Sequence, residues 1–192
     1  MKLFVVMHAY SLKKKIIAFL LIILLPTIAI AQADLDGGDK KASANYTNLK
    51  PDSFFLAAKE TYRLSVNNKD SFVQGQQLGI MGELCYHQGQ FPKALDYYLL
   101  EMKIWEALGR NDKLAEAYNR LGTLYFYHHN QNKAEAYYQL ALNLFSGTNN
   151  QKGIAVTLGN LGHIREKRQM YDSAQAYQQR AMEMYENIND SI

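Results

Sequence analysis

The chain has 192 residues, enough for a single domain, and an ordinary globular composition of 48% hydrophobic and 20% charged residues. Its formal net charge of +3 includes Lys2, Lys13, Lys14 and Lys15, which lie in a segment predicted below to be removed. Subtracting these four from 21 leaves 17 basic residues against 18 acidic ones, so nucleic-acid binding has little electrostatic support. The single cysteine, Cys85, excludes an internal disulfide and is interpreted as a small buried hydrophobe.

Residues 1–31 are predicted to be a secretory signal peptide. The basic run Lys13–Lys15 precedes an apolar run from Ile16 to Leu25, and Ala29-Ile30-Ala31 supplies the small residues of a cleavage site. The apolar stretch from Ile16 to Ile30 is shorter than the roughly 20 residues that a transmembrane helix needs. We therefore expect cleavage before Gln32 and export of the remaining chain. An uncleaved membrane anchor is the alternative.

Residues 32–50 are predicted to be a flexible linker. They are polar, rich in small residues, and show neither helical nor strand periodicity. Pro51-Asp52-Ser53 then resembles a helix start. Residues 51–70 are therefore predicted to hold one helix, half of an incomplete repeat.

From Ser71 onward the sequence repeats with a period of 40 residues. Glycine, alanine and tyrosine keep this step: Gly82, Gly122 and Gly162; Ala94, Ala134 and Ala174; Tyr97, Tyr137 and Tyr177. A fixed period between about 20 and 50 residues is typical of a stacked-repeat protein. Three repeats are predicted, over residues 71–110, 111–150 and 151–192.

The middle repeat shows two amphipathic helices most clearly. Apolar residues recur at helical spacing from Ala115 to Tyr125 and again from Ala134 to Phe145. The intervening run His128–Asn132 favours a turn. Gly147 and the Asn149-Asn150 pair are predicted to end the second helix, because glycine is favoured just past a helix C-terminus.

Gly122 lies inside the first of these helices, where glycine costs roughly 1 kcal/mol relative to alanine. We expect a close approach of the partner helix, at the small residues Ala134 and Ala141, to offset that cost. A packing role between the helices is predicted for these positions: Gly82, Ala94, Leu121, Gly122, Ala134, Tyr138, Ala141, Leu161, Gly162, Ala174 and Ala181.

The pattern Tyr118-x-x-Leu121-Gly122-x-x-Tyr125, followed by Ala134-x-x-x-Tyr138-x-x-Ala141, resembles the tetratricopeptide repeat. The flanking repeats match more loosely, and the period is longer than the usual 34 or so residues. The resemblance implies an all-α fold, an α-solenoid of antiparallel helix pairs that forms a superhelix after the signal peptide. It also implies a protein that binds a protein or peptide ligand without chemistry of its own.

In this family the first helix of each repeat lines the concave face, which implies where a ligand binds. Asn119 and Arg120 are the strongest candidates, because amide and guanidinium groups can bind a peptide backbone or a carboxylate. The family's lysine-and-asparagine clamp for acidic peptide tails is not reproduced. The full predicted peptide-binding surface comprises Gln76, Glu83, Tyr86, Asn119, Arg120, Thr123, Tyr127, Asn160, His163 and Lys167.

Catalytic residues, cofactors and metal sites are not predicted. His128 and His129 are adjacent on a turn and do not converge on one ion as an i, i+4 pair would. The sequence has no Gly-rich phosphate loop, nucleophile elbow or cysteine pair. His87 and His163 are interpreted as surface histidines, with a place in the binding groove as the alternative.

Signal peptide, linker and long repeats together resemble the exported sensory regions of some bacterial sensor histidine kinases and membrane-tethered transcriptional regulators. This resemblance implies a periplasmic binding module of a signal-transduction protein, attached to the membrane only through its signal peptide or a downstream transmembrane helix. A freestanding periplasmic scaffold is the alternative, and an accessory domain of an enzyme is a third hypothesis. The sequence of Asn187–Asp190 resembles the junctions between repeats, which predicts that further repeats or a partner cover the last helix.

Overall fold

The computed structural model of the protein describes residues 51–189, so the predicted signal peptide and linker lie outside the described residues. Within that range the chain forms α-helices and no strands, which confirms the predicted all-α fold. The helices are α1 (Pro51–Asn67), α2 (Ser71–His87), α3 (Phe91–Ala107), α4 (Asn111–Tyr127), α5 (Gln131–Gly147), α6 (Gln151–Lys167) and α7 (Tyr171–Asn189). None of these helices is long and apolar enough to cross a membrane.

Consecutive helices pack against each other along the whole described range. The tightest pairs are α2 with α3, α4 with α5, and α6 with α7. Because the connections are very short, neighbouring helices run antiparallel. The first helices of the pairs also meet, since α4 contacts α6 directly. The predicted solenoid of antiparallel helix pairs is thereby confirmed.

Successive helices are joined by one recurring turn, the Schellman motif. At the end of α2, the Gly89 N–H donates to the Tyr86 carbonyl at 3.0 Å and the Gln90 N–H donates to the Cys85 carbonyl at 2.8 Å. The second of these bonds recurs at the other turns, where the accepting carbonyls are those of Ser65, Trp105, Tyr125, Phe145 and Arg165. The common turn explains why each described helix begins 20 residues after the one before it.

Each turn places one residue in the left-handed region of the backbone map. Glycine fills that place only at Gly89 and Gly109. At the other turns the residues are Lys69, His129, Asn149 and Gln169, with φ between 53° and 60°. The expectation that Gly147 lies just past the end of its helix was wrong, because Gly147 is the last residue of α5. Asn149 takes the left-handed position instead, which its short polar side chain tolerates.

Two of the glycines that recur every 40 residues lie against tyrosine rings of the partner helix. A Cβ atom built on Gly122 would lie 2.6 Å from Cδ1 of Tyr138, and one built on Gly82 would lie 2.5 Å from Cε1 of Tyr98. The close approach expected at Gly122 is therefore made by an aromatic side chain. Ala134 and Ala141, the small residues at which the sequence predicts the close approach, are both buried on the same helix as Tyr138.

Helix α3, the second helix of the first pair, carries bulkier side chains than α5, the second helix of the next pair. Trp105 packs over Gly75, where a Cβ atom would lie 2.6 Å from the indole ring. Glu101 lies against Gly79 in the same way, with 2.7 Å between the built Cβ and Oε1. Glycines on one face of α2 thus make room for large groups of α3. All the positions with a predicted packing role are buried.

Candidate functional site

A cavity of about 190 Å³ lies where α2, α3 and α4 meet, and we call it the α2–α4 pocket. Its lining residues are Glu83, Tyr86 and His87 of α2, Tyr98 of α3, and Asn119, Arg120 and Thr123 of α4. Most of them come from the first helices of the first two repeats. The spacing of three and four residues between them places each group on one helix face.

The guanidinium of Arg120 is bound by carboxylates from two other helices. Its Nε donates to Oε1 of Glu83 at 2.8 Å, and its Nη1 donates to Oε1 of Glu101 at 2.9 Å. Its Nη2 lies 3.9 Å from Oε2 of Glu116, one turn earlier on α4. Burial alone would lower the pKa of Arg120, but the carboxylates of Glu101 and Glu83 raise it overall. Arg120 therefore stays charged and joins the first repeat to the second.

Glu101 is a carboxyl group in the protein interior, with only 3% of its surface exposed. Its Oε1 also accepts a hydrogen bond from Nε1 of Trp105 at 3.1 Å, whereas Oε2 has no hydrogen-bond partner in the described part of the chain. Burial raises the pKa of Glu101 to about 7, although Arg120 acts in the opposite direction. Desolvation thus outweighs the attraction of one arginine.

The polar groups of α4 extend the pocket toward the third repeat. Oδ1 of Asn119 accepts a hydrogen bond from Nδ2 of Asn160 at 3.1 Å, which links α4 to α6. The Thr123 hydroxyl donates to the Asn119 carbonyl at 3.0 Å and accepts from the Tyr138 hydroxyl at 3.1 Å. Amide and hydroxyl groups are therefore held in fixed positions beside the pocket.

Aromatic side chains form one rim of the pocket. The ring of Tyr86 lies 5.7 Å from Phe91 and 6.1 Å from Tyr127, measured between ring centroids. Phe91 also makes an edge contact with His128 at 4.4 Å. Tyr127 is 61% exposed, so this rim presents aromatic surface to solvent beside the polar lining.

The structure brings part of the predicted surface together. Five of the ten predicted residues line the pocket, namely Glu83, Tyr86, Asn119, Arg120 and Thr123. Tyr127 and Asn160 contact that lining at Tyr86 and Asn119.

Three predicted residues do not line the pocket: Gln76, His163 and Lys167. All three are exposed, and Nδ1 of His163 lies 3.5 Å from Oε2 of Glu166 on its own helix. Their role in ligand binding stays a prediction.

Three residues of this region were not part of the predicted peptide-binding surface. His87 is exposed, as predicted for a surface histidine, and it lines the pocket one turn after Glu83. Tyr98 carries the same 40-residue period as Tyr138, and that period was the signal that could have identified it. In the 40-residue period, Ala141 and Ala181 occupy the position of Glu101 in the next two repeats. A charged residue at a position that is otherwise alanine was the sequence signal that could have identified Glu101.

The adjacent histidines His128 and His129 lie at the turn after α4, within the described residues 51–189. No group of three or more His, Cys, Asp or Glu side chains within that range is placed to hold an ion. His128 caps the C-terminus of α4, and His129 takes the left-handed position of the turn.

Comparisons with known proteins identify the repeat and the fold. Residues 77–147 match the family model described as tetratricopeptide repeat, as the sequence pattern predicted. The chain is similar to BtubC (BKLC) from P. vanneervenii, with 22% identity, a TM-score of 0.61, and coverage of 74% of this chain and 59% of that chain. No functionally curated protein matches the chain.

Two further solved structures share the fold. The apo form of RapI matches with 14% identity and a TM-score of 0.55, over 79% of this chain and 63% of that chain. MamA matches with 18% identity and a TM-score of 0.50, over 83% of this chain and 94% of that chain. The chain thus spans less than two thirds of BtubC and of RapI.

Proposed function

We propose that the chain is a non-catalytic module that binds a peptide or protein segment at the α2–α4 pocket, because residues 77–147 match the model of the tetratricopeptide repeat. Tetratricopeptide repeats are a protein-interaction fold. One observation carries the placement: residues predicted separately from two repeats, among them Glu83 and Asn119, line one cavity.

The size of the pocket favours a peptide over a small molecule. Sites that enclose a whole small-molecule ligand measure about 300–1,000 Å³, whereas this cavity has about 190 Å³. It therefore holds one side chain of a longer ligand. The amide of Asn119 and the hydroxyl of Thr123 lie where they can bind the backbone of that ligand.

The binding site is tested by selecting ligands from a randomised peptide library with the chain immobilised. We expect peptides whose affinity falls about tenfold for Asn119→Ala, because a buried polar contact of the ligand loses its partner. Asn143→Ala is the matched control, since Asn143 is exposed on α5 and bonds to its neighbour Gln139. The proposal fails if no library peptide binds, or if both variants weaken binding equally.

We further propose that the module is exported and serves as the extracytoplasmic sensory part of a membrane-associated signalling protein. The support is the basic, apolar and small-residue order of residues 1–31 and the polar character of residues 32–50. A freestanding periplasmic scaffold uses the same features and is the second candidate.

Export is tested by expressing the gene in its native host and determining the N-terminus by mass spectrometry. A chain starting at Gln32 in the periplasmic fraction supports the proposal, and an intact N-terminus in the cytoplasm contradicts it. The downstream reading frame then separates the two candidates, because the sensory role requires a transmembrane helix encoded after these residues.

A further inference from the structure

The charged groups around Arg120 include more carboxylates than cations. Glu83, Glu101 and Glu116 approach its guanidinium at 2.8, 2.9 and 3.9 Å. Among the described residues, the other cation in contact with this group is Lys113, whose Nζ lies 2.8 Å from Oε1 of Glu116. The three carboxyl groups therefore outnumber the two cations that they contact, although burial raises the pKa of Glu101 to about 7 and leaves it only partly ionised at neutral pH.

This imbalance disfavours an acidic ligand. Two donor groups of Arg120, Nε and Nη1, are already used by Glu83 and Glu101. A ligand carboxylate is left with the remaining N–H groups, where the negative charges of Glu83 and Glu116 repel it. The carboxylate-binding role expected for Arg120 from the sequence is thus filled by the protein itself.

The same groups favour a positively charged ligand atom. Glu83 lines the pocket with 34% of its side chain exposed, against 15% for Arg120, so it is the more accessible charge. A carboxylate has acceptor sites for several donors, so Glu83 can bind a ligand cation while it remains bonded to Arg120. Tyr86 is part of the same lining, and aromatic rings attract cations at close range.

From these contacts we propose that the α2–α4 pocket selects a basic side chain, lysine or arginine, of the bound peptide. The inference rests on the proposed peptide binding. In this arrangement the ligand's cation binds the exposed carboxylate of Glu83 at the pocket. Its aliphatic stem lies along the tyrosine rings of the pocket, as long basic side chains do on apolar surface.

The test uses the same randomised peptide library with the full chain. We expect lysine or arginine to be enriched at one position of the selected peptides. Replacing that residue with norleucine should weaken binding to the wild-type chain about tenfold, the loss typical of one charge-assisted contact. This comparison changes only the peptide, so it is independent of the folding of any variant.

Variants of the chain supply the second arm. Glu83→Gln should weaken binding of the selected basic peptide about tenfold, whereas Glu186→Gln should leave it unchanged. Both substitutions remove one negative charge, and Glu186 is exposed on α7 away from the pocket. Comparing the two variants distinguishes direct contact between Glu83 and the peptide from a long-range attraction between the net charge of the chain and the peptide.

The outcomes distinguish this inference from the proposed function. Peptides that bind in an Asn119-dependent manner, without enrichment of basic residues and without loss for Glu83→Gln, would overturn the inference and leave the binding role in place. Selected peptides rich in aspartate or glutamate would also overturn it. If no peptide binds, both proposals fall.

Discussion

Nη1 of Arg120 on α4 donates a 2.9 Å hydrogen bond to Oε1 of Glu101 on α3, so an arginine of the second repeat compensates a buried carboxylate of the first. Glu101 occupies the position of the small Ala141 and Ala181, and Gly79 makes the room that the larger side chain needs. The pocket beside this pair therefore depends on two adjacent repeats being stacked.

Removing the arginine should strongly destabilise the fold. Arg120→Met leaves Glu101 buried without its cation. At pH 8, where Glu101 is largely ionised in the wild type, breaking a buried pair in this way costs about 3–5 kcal/mol. Urea denaturation followed by circular dichroism measures the loss. Adding Glu101→Gln to this variant should recover most of it, because the one carboxylate then left without Arg120 at hydrogen-bond distance, that of Glu83, is partly exposed to solvent. A loss no larger than that of Arg63→Met, which breaks only the exposed pair with Glu60, would show that the buried pair is not needed.

Stability should also depend on pH through Glu101. Its pKa in the folded chain is raised to about 7 by burial, above the ordinary value of 4.5, so the folded state binds this proton more tightly than the unfolded state. The stabilisation is complete below pH 4.5 and is lost as the pH rises through 7.

The measurement is the difference in unfolding free energy between wild type and Glu101→Gln across this range, in which other titrating groups cancel. We expect the wild type to lose up to about 3 kcal/mol relative to the variant between pH 4.5 and pH 8. If the unfolding free energies of the two chains change in parallel with pH, the pKa of Glu101 is not raised in the folded chain.

Replacing glycine by alanine should have opposite effects on stability at glycines in close contact with a neighbouring side chain and at glycines with open space around them. Gly122→Ala places a methyl group 2.6 Å from the Tyr138 ring, and such overpacking costs about 1–3 kcal/mol. Gly159→Ala is the matched control on α6, where no atom lies within 4 Å of the new Cβ, and the gain in helix propensity is up to about 1 kcal/mol. Melting temperatures should therefore move in opposite directions. A rise for both variants would contradict the ring contact at Gly122.

Glycine should be favoured at the left-handed turn positions. His129→Gly removes the cost of holding a side chain at φ 58°, so we expect stabilisation of about 1 kcal/mol. Gly109→Ala is the reverse change at φ 63°, in a place with no atom within 4 Å of the new Cβ, and should destabilise by a similar amount. Thermal unfolding of the two variants decides the point, and a lowered melting temperature for His129→Gly would be evidence against it.

The sequence predicted the fold because its signals are periodic and local. The repeated glycines and alanines indicated helix pairs, and helical spacing put Glu83 and Tyr86 on one face of α2 and Asn119 and Thr123 on one face of α4. These residues could be grouped before any contact was known.

Contacts between helices could not be predicted in the same way. Which side chain fills the space above Gly122 depends on how the two helices are rotated. Tyr138 could therefore be given a packing role from the sequence, but its ring could not be placed against Gly122. The pairing of Arg120 with Glu101 joins residues of different repeats, and a spacing rule within one helix does not describe it.

The most direct test of peptide binding at the α2–α4 pocket is to map a library-selected peptide on the chain by amide chemical shifts in NMR. The structure predicts that the largest shifts occur at Tyr86, Asn119 and Thr123, with little change along α7. Shifts concentrated on α7, or spread evenly over the helices, would contradict the site.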